Sequence, residues 1–98
     1  MNQAAHAAIG AVKRSLAITN KRGLHARAAA KFVRTAGQFD AVIRVSFKGQ
    51  DVSGLSIMGL MMLAAGVGSA IELSCSGRQA AEAMAALSAL VESRFGED

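Results

Sequence analysis

Hydrophobic residues in this chain recur with two different periods, and the order in which the periods alternate confines it to one fold class. Ser15-Leu16-Ala17-Ile18-Thr19 alternates, placing Leu16 and Ile18 on one side of a strand. Ala29, Phe32, Val33 and Ala36 then follow at i, i+3, i+4 and i+7, one buried face of a helix from about Ala26 to Ala36, with Gly37 placed to end it. From Asp40, Ile43, Val45 and Phe47 point one way and Val42, Arg44 and Ser46 the other, up to a tight turn at Lys48-Gly49-Gln50-Asp51 and a short return strand Val52-Ser53. Ser56 precedes a second helical stripe of Ile57, Leu60, Met61 and Ala64. After the loop Gly66-Val67-Gly68, Ala70–Cys75 alternates with Ile71, Leu73 and Cys75 inward. A last helix over Arg78–Phe95 lines Ala80, Met84, Leu87, Leu90 and Val91 along one side; Gly96 ends it and Glu97-Asp98 is a polar tail. Strands apolar on one face fit an antiparallel sheet covered on one side by helices, an α+β domain.

At 98 residues there is room for one small domain with a modest core. With no Trp or Tyr, that core is built from Ala, Val, Ile, Leu and Met; with no Pro, the turns rest on Gly, Asn, Asp and Ser. The lone Cys75 excludes an internal disulfide and reads as a small buried hydrophobe in a reducing compartment. The apolar run Ala7–Val12 is too short to span a bilayer, and its positive charges follow it instead of preceding it as in a secretory signal. The expectation is a cytoplasmic protein with no membrane insertion. Residues 1–12 are Ala-rich without a period and read as a frayed leader, in which His6 has no assigned role; the domain occupies 13–98.

Charge is unevenly placed. All acids lie at Asp40 or beyond, whereas seven of the eleven basic residues lie between Lys13 and Arg34, around His25. Such asymmetry calls for an acidic partner surface or an anionic ligand. Nucleic acid is the other standard partner of a basic patch, but no Tyr or Trp is available to stack on bases. The turn Asn20–Leu24 delivers His25 to the start of the first helix, where backbone N–H groups lack partners and attract anions. That end also disfavours imidazolium, so a neutral ring with a free lone pair is expected: either a solvated or capping histidine, the commoner use of such a position, or a phosphoryl acceptor. The amides of Ala26 and Arg27 and the guanidinium of Arg27 would hold phosphate oxygens, and Lys31 and Arg34 extend the basic stripe. No metal cluster, cofactor site or nucleotide-binding loop is present in the pattern. Ser56 is a good N-cap, and the methionines around it are too many for one buried stripe, so some must face solvent.

Gly23-Leu24-His25-Ala26-Arg27, continued by Ala28-Ala29-Ala30-Lys31-Phe32-Val33, resembles the active-site segment of HPr, the histidine-containing phosphocarrier family of the bacterial phosphotransferase system. Ser56–Ala64 is similar to that family's regulatory-serine helix, and Asn20–His25 looks most like the nitrogen-related NPr branch. The resemblance, from about Lys13 to Gly96, implies an open-faced β-sandwich of four strands and three helices. It implies that His25 takes a phosphoryl group, through Nδ1, from an enzyme I-type donor charged by phosphoenolpyruvate, and passes it to a IIA-type acceptor. It further implies regulatory phosphorylation of Ser56 by an HPr kinase/phosphorylase, and partner docking on Ala30, Lys31, Arg34, Ile57, Met58 and Met61. Two positions depart from the pattern: Ala28 stands where the family usually has proline, and Leu55 where a basic residue often precedes the serine. The rival reading is a regulatory module that binds partners through Arg27 and the Met face without phosphoryl transfer.

Overall fold

A computed structural model of the chain describes residues 11–97. His6 and most of the leader lie outside the described residues. The elements run β1 (Val12–Ala17), α1 (Ala26–Ala36), β2 (Val42–Phe47), β3 (Gln50–Ser53), α2 (Ile57–Met62), β4 (Ala70–Ser76) and α3 (Ala80–Glu92), followed by a short 3-10 turn, Arg94–Gly96. The strands form one sheet in the order β1-β4-β2-β3, every neighbouring pair antiparallel. This is the α+β architecture expected, with three helices on one face of the sheet.

Register explains why the sheet has a wet and a dry side. Leu16 lies opposite Ile71, Val45 opposite Leu73 and Ile43 opposite Cys75, and all six are buried. A shift of one residue would turn this whole set outward. The neighbouring positions Lys13, Ser15, Val42, Arg44 and Glu72 are exposed on the open face. Above the dry side the core closes around Phe32 of α1, Leu60 of α2, Leu87 and Val91 of α3, and Phe95, each with no exposure.

The structure corrects several element boundaries. β1 begins at Val12, paired with Cys75, and not at Ser15, so the sheet takes in a residue assigned to the leader. Arg14 therefore falls on the inward side, where Nη1 donates to Oγ of buried Ser88 on α3 at 2.9 Å. Gln50 and Asp51 belong to β3; the turn itself is Lys48-Gly49, both with positive φ (49° and 81°), the conformation that suits a two-residue hairpin. Gly37 does end α1, but in the right-handed region.

The stripe expected on the second helix is not what packs. Of its four members only Leu60 is buried; Ile57 is 42% and Met61 38% exposed, and Ala64 also faces solvent. α2 is only six residues long, and Ala64 turns the chain with φ 56°, so Leu63 and Ala65 fill the core instead. α3 likewise stops at Glu92, three residues short of the expected end. Arg94 and Phe95 then adopt positive φ (59° and 55°). That reversal folds Phe95 into the core, and it carries Glu97 back over the molecule, so Glu97 is no solvent tail.

Candidate functional site

The loop between β1 and α1 is held from inside. Asn20 is fully buried, and its Nδ2 donates to the carbonyl of Gly23 at 2.9 Å and to Oε1 of Glu97 at 2.8 Å. Gly23 N–H donates back to the Asn20 carbonyl at 3.1 Å, closing a tight turn, and Leu24 N–H donates to the Ala65 carbonyl at 3.0 Å. Gly23 sits at φ +64° with the backbone of Ala65 and Gly66 pressed against it, a place where only hydrogen fits. These contacts fix His25 in extended backbone as the residue before α1.

His25 does not cap the helix with its side chain. Its carbonyl accepts from Ala29 N–H at 2.8 Å, the first backbone bond of α1, and no acidic residue occupies the first turn. The amides ahead of Ala29 are thus left for a ligand, and the positive end of the helix dipole has no counter-charge from its own first turn. The ring turns instead toward Glu97: Nε2 lies 2.9 Å from Oε1 and 3.1 Å from Oε2. A carboxylate only accepts, so Nε2 carries the hydrogen, and in the neutral ring the lone pair is on Nδ1. Both side chains keep an opening to solvent, at 22% and 20% exposure. The Glu97 carboxyl is held below its usual range, first by the Asn20 amide, then by the hydrogen bond and charge of His25 and by the charge of Lys31.

Around this pair the cations gather. Lys21, Arg22, Arg27 and Glu97 line a shallow depression of about 440 Å³. Arg22 and His25 also line a cleft of about 240 Å³ with Leu24, Ala64, Ala65 and Gly66. Arg27 and Arg34 are exposed and Ala30 half-buried. Lys31, expected on the free basic stripe, is instead half-buried, and its Nζ donates to the Phe95 carbonyl at 2.6 Å, anchoring the last turn. Ile57, Met58 and Met61 stand on the exposed side of α2, with Leu55, Met62 and Val67 nearby in sequence also exposed. Ser56 is the N-cap of α2, its Oγ accepting from Gly59 N–H at 2.9 Å. Among the described residues no group of three His, Cys, Asp or Glu could hold a metal ion, and no helix is long and apolar enough to cross a membrane.

Sequence reasoning singled out His25 and Arg27, which the structure places before and within the first turn of α1, but missed Asn20 as a buried anchor, Arg22 as a lining residue, and Glu97. Nothing periodic marks Glu97: it reaches a histidine 72 residues away.

A histidine presented at a cation-rich helix start above an open antiparallel sheet describes a small α+β domain suited to receive an anionic group such as phosphate. The family model described as the PTS HPr component phosphorylation site matches residues 12–93. The chain accordingly belongs to the HPr family of phosphocarrier proteins of the phosphotransferase system. It is 50% identical over 86 residues to phosphocarrier protein HPr of Cupriavidus necator, covering 88% of this chain and 97% of that one. It is 42% identical over 86 residues to phosphocarrier protein NPr of Shewanella violacea, covering 88% and 94%. HPr-C-His from Thermoanaerobacter tengcongensis superposes with a TM-score of 0.85 at 44% identity, covering 89% of this chain and 98% of that one.

Proposed function

We infer that His25 is the phosphoryl-bearing residue of this phosphocarrier and that Nδ1 is the reacting atom. The observation that carries the reading is the engagement of Nε2 by Glu97, which leaves the lone pair on Nδ1 of the residue that precedes α1. An enzyme I-type phosphohistidine donor docks on the exposed faces of α1 and α2. The Nδ1 lone pair attacks phosphorus in line; the new N–P bond forms as the donor's N–P bond breaks and its electron pair returns to the donor ring. The amides of Ala26 and Arg27 and the guanidinium of Arg27 share the charge on the three equatorial oxygens. A IIA-type acceptor then takes the group by the same step in reverse roles. Since the carrier must give as well as take, it holds the phosphoryl group only moderately.

Ala30, Arg34, Ile57, Met58 and Met61 form the docking surface in this reading; Lys31 supports the last turn instead. Ser56 is the regulatory position, where a kinase of the HPr kinase/phosphorylase type would add charge beside that surface. The domain that does this work is the single unit following the N-terminal leader, and its compartment is the cytoplasm, in keeping with one unpaired cysteine. Incubation with phosphoenolpyruvate and a purified enzyme I tests the core of the proposal. One acid-labile phosphate on His25 is expected, abolished by His25→Ala and slowed by Arg27→Ala. Phosphate on any other residue would overturn it.

A further inference from the structure

The mechanism above uses Glu97 only as a marker of which nitrogen is free, yet the structure spends much of its C-terminal segment on bringing that carboxylate to the ring. Phe95 is fully buried, two consecutive non-glycine residues adopt positive φ to put it there, and Lys31 holds its carbonyl. Left-handed backbone at residues with side chains persists only where surrounding contacts over-determine it. Asn20, buried and already bonded to Gly23, gives its second N–H to Glu97. Glu97 is thus aimed from two sides at His25 Nε2.

We propose that Glu97 is a positioning residue for phosphoryl transfer: it keeps the proton on Nε2 of His25 and serves as counter-ion to the ring while Nδ1 carries the phosphoryl group. This rests on the reading of His25 as the carrier residue.

The chemistry follows from electron counting. When neutral His25, with hydrogen on Nε2, uses its Nδ1 lone pair to bond phosphorus, the ring becomes an imidazolium substituted by phosphate. No proton has to arrive or leave. The positive charge so formed lies against the Glu97 carboxylate, at the 2.9 Å contact already made. On delivery to an acceptor, the electron pair of the N–P bond returns to Nδ1, and the leaving group is neutral imidazole because Nε2 has kept its proton. Were that proton lost, the leaving group would be the much more basic imidazolate. Glu97 therefore protects the outgoing step, and its influence grows with pH. Among the described residues, the other charged groups around the pair are Lys21 and Arg22 on the loop and Arg27 and Lys31 on α1, all of them cations. The segment Ala64–Gly66 facing His25 brings no charge.

Glu97→Gln removes the charge and keeps an oxygen that accepts from Nε2 and Asn20. Wild-type and variant chains are phosphorylated to completion and mixed with a IIA acceptor in single-turnover quench flow at about pH 6 and about pH 8.5, on either side of the usual histidine range. Outgoing transfer should be nearly equal at the lower pH and roughly 3–10-fold slower in the variant at the higher one, the weight of one lost charge-assisted hydrogen bond at a partly exposed pair. Equal slowing at both pH values would mean a structural role only, and no slowing at either would mean no role; each overturns the proposal. Failure of the wild-type chain to take phosphate on His25 would instead overturn the carrier reading, so the two failures are distinct.

Discussion

Replacing Gly23 by alanine asks whether the turn ahead of His25 is as necessary as the histidine. Gly23 lies at φ +64°, and an added Cβ would sit 2.5 Å from the Ala65 carbonyl oxygen and 2.7 Å from Gly66 Cα. Left-handed backbone at an alanine costs roughly 1–2 kcal/mol. The contact is worse, because both neighbours are backbone and cannot rotate away; the two segments must part by on the order of 1 Å to reach ordinary van der Waals distance. Parting them stretches the bond from Leu24 N–H to that same carbonyl, now 3.0 Å, and forfeits about 1 kcal/mol more. The total is roughly 2–4 kcal/mol, a fall in Tm of roughly 10–25 °C for a domain of this size. Gly49→Ala is the internal standard: φ is +81° there, but nothing lies within 4 Å, so only the conformational cost of about 1–2 kcal/mol applies. With no Trp to report by fluorescence, urea unfolding is followed by far-ultraviolet circular dichroism. Gly23→Ala should be the more destabilised of the two and should also lose phosphate uptake, while Gly49→Ala keeps it. Equal destabilisation would refute the claim that the β1–α1 loop is clamped against Ala65.

Phe95→Ala should cost about 3–5 kcal/mol, as for other fully buried aromatics, and detach Glu97 from His25; the His25 ring signals in NMR would report the detachment even where the fold survives. Because Glu97 is held more acidic in the folded state, its contacts stabilise the protein above the ordinary carboxylate range and are lost as pH falls through its lowered value. Acid-unfolding curves of wild type and Glu97→Gln should therefore differ near neutrality, draw together as pH falls below the ordinary carboxylate range, and converge only once it has passed the lowered value of Glu97. Ser56→Ala should remove the cap on α2 and cost about 0.5–2 kcal/mol by urea unfolding, whereas Ser56→Asp should keep most of that stability and slow loading from enzyme I. Cys75, buried and with its thiol pushed up by that burial, should react with a thiol reagent only as fast as the chain unfolds.

The parts of the fold legible in the sequence are those that a period can encode. Strand faces were right because alternation is forced by the pleat: Ile71, Leu73 and Cys75 are all buried, as are Leu16 and Ile18. On α1, Ala29, Phe32 and Ala36 are buried and Val33 packs at the margin. The stripe on α2 misled because it assumed two residues more of helix than the backbone supplies; a left-handed Ala64 ends it early, and no local rule favours alanine there. In the site, the His25–Arg27 spacing was readable since both belong to one loop and helix start. The contacts of Asn20, Lys31 and Glu97 were not, because hydrogen bonds between remote segments impose no spacing on the chain. Lys31 shows the difficulty well: its place on a polar stripe was correct, and its use as an internal clamp on Phe95 followed only from where the last turn comes to rest.

Order of assembly follows from the sheet. β2 and β3 meet across a two-residue turn, whereas β1 has one neighbour, β4, and its last residue, Ala17, must find Ala70. Loop-closure entropy makes the hairpin an early event in folding and the seating of the first strand a late one. The reactive loop hangs directly from that strand, so a half-folded chain owns a sheet but no chemistry. Refolding monitored in parallel by hydrogen exchange and by phosphate uptake should register the hairpin first and the competence to carry phosphate afterwards.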